Sequence, residues 1–105
     1  MTVERYVLVV DDEQRLTAFL KDFFTKVGYQ MHVASSGQEA LNAVQEHLPA
    51  LVLLDMRMPG IDGVQVLQTL KQKYPSVKVV IMTSYDEEYK RVAEQSGADA
   101  FFPKP

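Results

Sequence analysis

Polar groups stand where apolar runs stop. YVLVV (residues 6–10) ends on Asp11-Asp12, and LVLL (51–54) ends on Asp55. VKVVIM (77–82) ends on Thr83-Ser84, and AFF (100–102) runs into Pro103-Lys104-Pro105. Taken singly, most of these have a plain reading. Asp12 is a good helix N-cap, Thr83 closes a strand, and Lys104 is a solvated charge. Asp55 resists such a reading, because charged side chains are seldom placed at the end of a fully apolar strand without a partner. Four polar strand ends together point to a site. Two carboxylates about 4 Å apart repel by roughly 4 kcal/mol at an effective dielectric of about 20, so three clustered acids call for a cation. Few hard oxygen ligands, with room for water and phosphate oxygens, describe Mg2+ better than zinc, with Mn2+ as a substitute. Beside such an ion a carboxylate can act as a nucleophile toward phosphorus. The Lys104 ammonium and the Thr83 hydroxyl would then take phosphoryl oxygens alongside the metal.

These groups meet only if the strands carrying them are neighbours. Glu13 to Val27 places Leu16, Phe19, Leu20, Phe23 and Val27 on a helical stripe, and Gly28 stops it. Gln30 to Ala34 (QMHVA) alternates as a strand with one solvated side does. Gln38 to Leu48 is helical, with Ala40, Leu41, Val44 and Leu48 in register and Pro49 as punctuation. Val64 to Tyr74 is a third helix with Val64, Leu67 and Leu70 inward, ended by Pro75, and Asp86 to Gln95 is a weaker fourth helix ended by Gly97. Strands alternating with helices predict an α/β fold, a parallel sheet with helices on both faces. YVLVV and LVLL are apolar on both sides and belong in the centre. QMHVA fits an edge. The predicted architecture is a flavodoxin-like, doubly wound, five-stranded sheet of order 2-1-3-4-5, whose chemistry lies beyond the carboxyl ends of the strands.

The rest of the chain sets bounds. Its 105 residues suit one domain, 47% of them apolar and 24% charged. A net charge of −3 gives no basic footprint for nucleic acid and no polybasic membrane patch. There is no cysteine, hence no disulfide framework and no thiolate metal site. MTVERYVLVVDD is neither a signal peptide nor a membrane span. His32 and His47 read as surface or structural residues. After Asp55, Pro59 fixes its own φ and constrains Met58, Gly60 permits a bend, and Asp62 can cap the helix that begins near Gly63.

VLVVDDE, LVLLDMRMPGIDG, VVIMTS and FFPKP, in this order and spacing, resemble the receiver (phosphoacceptor) domain of bacterial two-component response regulators. The resemblance covers essentially the whole chain. It implies that Asp55 takes a phosphoryl group from the phosphohistidine of a sensor histidine kinase or phosphotransfer protein. It implies metal ligation by Asp12, Asp55 and the main-chain carbonyl of Arg57, with Asp11 acting through water, and phosphate binding by Thr83 and Lys104. It implies a cytoplasmic switch, not an enzyme in the usual sense, that controls an output domain or partner through the fourth helix and fifth strand, with a homodimer as one outcome. Phe101 occupies the place of the family's switch aromatic, commonly tyrosine; plain core packing is its other reading. Arg57 and Tyr85 would flank the water that hydrolyses the phosphate. A Tyr85→Ala variant is expected to lose phosphate faster, as followed by intact mass over time.

The family continues into a fifth helix on the side of the first, which is absent from this chain. Residues 1–105 therefore read as a receiver domain shortened before that helix, with Phe101, Phe102 or their neighbours poorly covered, lower stability and a tendency to self-associate. A longer chain is expected to melt higher. Two alternatives use the same fold. A phospho-independent binding module usually loses a member of the acid, Thr and Lys set, and a Mg2+-dependent phosphatase with an Asp nucleophile carries a second acid where Arg57 stands. A nucleotide site would need a Gly-rich loop after the first strand, and VVDDEQ has no glycine.

Overall fold

A computed structural model describes residues 6–56, 63–83, 90–91 and 94–103. Its elements are β1 (Tyr6–Val10), α1 (Gln14–Lys26), β2 (Gln30–Ala34), α2 (Gly37–Glu46), β3 (Leu51–Leu54), α3 (Gly63–Lys73), β4 (Lys78–Thr83) and β5 (Ala100–Pro103). All strand pairings are parallel, in the order β2-β1-β3-β4-β5. The apolar textures of YVLVV and LVLL therefore marked the central strands, and QMHVA the edge. The fourth helix read from residues 86–95 lies for most of its length outside the described residues. No helix among the described residues is long and apolar enough to cross a membrane.

The parity of each strand sorts the core onto two faces. Leu8, Val10, Val52, Leu54, Val79 and Ile81 face α2 and α3, where Ala40, Val44, Val66, Leu67 and Leu70 complete a large buried cluster. Val7, Val9, Leu53 and Met82 face the other way, where Leu16 of α1 completes a smaller one. Right-handed crossovers explain the division. The chain steps outward once, from β1 to β2, and then steps the opposite way from β2 to β3 and on to β4, so α1 lies on the other face from α2 and α3.

That division corrects the apolar stripe read for the first helix. Leu16 is buried, Leu20 and Phe24 pack partly against the smaller cluster, and Phe19, Phe23 and Val27 are half or more exposed, Phe19 by 66%. Among the described residues α1 is the only helix on its face, so its flank finds no second helix to bury it. Phe102, whose β4 partner Met82 belongs to the same face, is 59% exposed, while Phe101 packs partly into the larger cluster. Leu48 is a second correction: α2 ends at Glu46, which leaves Leu48 in the exposed connection. Val66 was not read as inward and is buried.

Local chemistry fixes the helix ends. Ser36 caps α2 by accepting from the Glu39 amide at 3.1 Å, and Glu39 reaches back to the Ser35 amide at 2.7 Å, a reciprocal capping box. The Ser35 amide, and then its hydroxyl, hold the Glu39 carboxyl below its ordinary pKa. At the other end of α2, the Tyr6 hydroxyl donates to the main-chain carbonyl of His47. His32 and His47 pack their rings about the Tyr6 ring, with centroids 4.9 and 5.1 Å from it. Burial, and then the charge of Glu46, push the Tyr6 hydroxyl above its usual pKa, so it keeps the proton it donates.

Candidate functional site

The sheet register brings the first acids together. β1 pairs with β3 so that Val10 stands beside Leu54, and the next residues along the two strands are Asp11 and Asp55. The Asp55 amide continues the ladder by donating to the Val10 carbonyl at 3.0 Å, and the Asp11 amide donates to the Ala34 carbonyl of β2 at 3.1 Å. The backbone of both acids is thus held by the strands flanking them. Asp11 is 1% and Asp55 2% exposed, while Asp12 is exposed.

One carboxylate oxygen from each of Asp11, Asp12 and Asp55 lies within 4.8 Å of the others. An oxygen of Asp11 accepts from the Glu13 amide at 2.8 Å, which turns the chain into α1. Glu13, not Asp12, takes the N-cap position, and its side chain makes no capping bond. That removes the simplest structural account of Asp12 and leaves its carboxylate facing the other two. At such separations each ionised pair repels by at least about 3 kcal/mol at an effective dielectric of about 20. A divalent cation relieves this. Three hard oxygens from two adjacent strand ends, two buried and one open to water, fit an ion that takes a few carboxylates and keeps several waters, as Mg2+ does. Nitrogen and sulfur donors have no place in the triad, which argues against zinc.

The remaining candidates divide by position. Thr83 is the last residue of β4 and pairs with Pro103 of β5. Phe101 pairs with Ile81 and lies partly buried against the α2/α3 face. Arg57, Tyr85 and Lys104 lie outside the described residues. The Glu13 amide was not anticipated as a support of Asp11, because a main-chain donor leaves no mark in the residue types.

With this geometry in hand, the known proteins it resembles agree. Residues 7–105 match the family described as response regulator receiver domain. The chain belongs to that family. It is a two-component receiver domain with an acidic pocket of Asp11, Asp12 and Asp55, and such a domain is a phosphoacceptor rather than an enzyme of the usual kind. It is 39% identical to sporulation initiation phosphotransferase F of Bacillus subtilis over 94% of this chain and 81% of that protein. It is 34% identical to the alkaline phosphatase synthesis transcriptional regulatory protein PhoP of the same organism, over 98% of this chain and 43% of that one. Among solved structures, a response regulator receiver domain protein from Methanospirillum hungatei superposes with a TM-score of 0.91 at 26% identity, over 98% of this chain and 83% of that chain. The response regulator TrrA from Thermotoga maritima, solved in complex with Mg2+-BeF, gives a TM-score of 0.85 at 32% identity, over 96% and 87%. The chain thus spans most of the first of these curated relatives and less than half of the second.

Proposed function

We propose that this domain accepts a phosphoryl group on Asp55 from the phosphohistidine of a sensor histidine kinase or phosphotransfer protein, in a cytoplasmic phosphorelay that requires Mg2+. The observation that carries this reading is the acid triad, two of its members buried and Asp12 open to water, at the carboxyl ends of two adjacent central strands. The relative in complex with Mg2+-BeF supports the choice of ion, and the relative named as a phosphotransferase supports the choice of donor.

In the transfer an oxygen of the Asp55 carboxylate attacks phosphorus. The phosphorus–nitrogen bond of the donor breaks and its electron pair stays on nitrogen. A donor ring protonated at its other nitrogen leaves as neutral imidazole, so no proton need be supplied. When bound, Mg2+ neutralises the acids and the transferring oxygens. Asp12, Asp55 and the Arg57 carbonyl would hold it, with Asp11 acting through water. The Thr83 hydroxyl and the Lys104 ammonium bind phosphoryl oxygens, and Arg57 and Tyr85 flank the water that later removes the group. The product adds a charge of about −1.5 to −2 and three strong acceptors at the strand ends. That change shifts Thr83 toward the phosphate and couples to rotation of Phe101, which alters the fourth-helix and fifth-strand face read by an output domain or partner.

The test is intact mass after incubation with a small-molecule phosphodonor, with Mg2+ and with EDTA, for the wild type and Asp55→Asn. The expected result is one added phosphoryl group that requires both Mg2+ and Asp55. A gain that survives Asp55→Asn, or no gain with Mg2+ present, overturns the reading.

A further inference from the structure

Gly63 opens α3 and lies directly against Met56, the residue after Asp55. A Cβ on Gly63 would stand 2.8 Å from the Met56 Cα, 2.8 Å from its Sδ and 3.3 Å from its carbonyl oxygen. The sulfur could swing aside. The Cα and the carbonyl cannot, because they belong to the main chain joined to Asp55. Neither side has slack. Met56 is buried, the Asp55 amide is tied to Val10, and Val66, Leu67 and Leu70 lock α3 into the larger cluster. The glycine is not demanded by its own backbone either: among the described residues only Gly28 and Gly97 have positive φ. Close approach is the reason for Gly63.

We propose that Gly63 is a positioning residue for the acid triad: its contact with the Met56 main chain fixes where the Asp55 carboxylate stands and so sets the triad's preference for a small octahedral cation. The inference rests on reading the triad as a divalent-cation site. Mg2+ demands near-ideal octahedral geometry at about 2.0–2.1 Å, whereas Ca2+ accepts six to eight ligands at about 2.3–2.6 Å in flexible arrangements. Any shift of Asp55 therefore costs Mg2+ more than Ca2+. A general loss of stability would not separate the two ions.

The experiment is calorimetric titration of the whole chain with MgCl2 alone and with CaCl2 alone, beside thermal melting, for wild type, Gly63→Ala, Gly97→Ala and Asp55→Asn. Gly97 is the control. Its φ of +95° makes alanine strained there, and its added Cβ would meet only Lys71, at 3.7 Å. Gly63→Ala should weaken Mg2+ about tenfold, the scale of a lost supporting contact at a metal site, and weaken Ca2+ distinctly less. Gly97→Ala should lower the melting temperature and leave the ratio of the two affinities unchanged. Measurement at about 15 °C, near the usual maximum of stability, with trimethylamine N-oxide favours the folded population of Gly63→Ala. Equal weakening of both ions, or affinities equal to wild type, overturns the role of Gly63. A wild type that binds no better than Asp55→Asn overturns the cation site itself, which distinguishes the two failures.

Discussion

Acids stand at both ends of this sheet, and their surroundings differ. At the carboxyl ends Asp11, Asp12 and Asp55 face one another. At the amino ends Asp99 faces cations and an amide. One of its oxygens accepts from Lys71 Nζ at 2.9 Å and from the Val79 amide at 2.9 Å, and the other lies 3.9 Å from Lys78 Nζ. Lys71 also donates to the Val77 carbonyl at 3.1 Å, so α3 is tied to the start of β4 and to the residue before β5. Burial raises the Asp99 carboxyl, but the Val79 amide, the Lys71 hydrogen bond and the charges of Lys71 and Lys78 outweigh it and hold it below the usual range. An acid among donors holds the fold together. Three carboxylates drawn together instead form a group that could hold a cation.

The largest effect expected from this contrast is the metal's. Mg2+ at about 100 times its Kd should stabilise the domain by about 2.7 kcal/mol in chemical denaturation, by mass action. EDTA or Asp55→Asn should abolish that increment, and Asp99→Ala should leave it intact. An Asp99→Ala variant that lost the increment would break the distinction between the two ends. Next in size, Asp99→Ala should cost about 1–2 kcal/mol without metal, because it leaves the Val79 amide and the Lys71 ammonium short of a partner at a partly exposed site. Smallest is the pH effect. A depressed carboxyl adds stability that is present above its unfolded pKa and lost as pH falls through its folded one. Wild type should therefore exceed Asp99→Asn at neutral pH, with the gap closing below about pH 4 in denaturation series across pH. A gap that widened in acid would contradict the lowered carboxyl.

The two faces of the sheet show where residue patterns stop being informative. On the α2/α3 face, Ala40, Val44, Leu67 and Leu70 are buried as their periodicity predicted, because helices lie side by side there. On the α1 face the same kind of periodicity marked Phe19, Phe23 and Val27, and these are exposed. An apolar residue at helical spacing is available for burial. Whether it is buried depends on what the fold sets opposite. The site divides in the same way. Its acids were legible because a charge at the end of an apolar strand is locally anomalous. The Glu13 amide beneath Asp11 and the approach of Gly63 to Met56 were not, since main-chain donors and missing Cβ atoms carry no polarity signal.

The sequence alone determined the order of the elements, the central and edge strands, and the acids at the ends of adjacent strands. Each of these follows from short-range periodicity together with the narrow choice of parallel topologies that right-handed crossovers allow. Only the tertiary structure decided which flank of α1 stays open, that Asp99 is paired rather than solvated, and that α3 closes on the Met56 main chain. Those outcomes depend on the distance between segments remote in the chain, and no local pattern of residues encodes that distance.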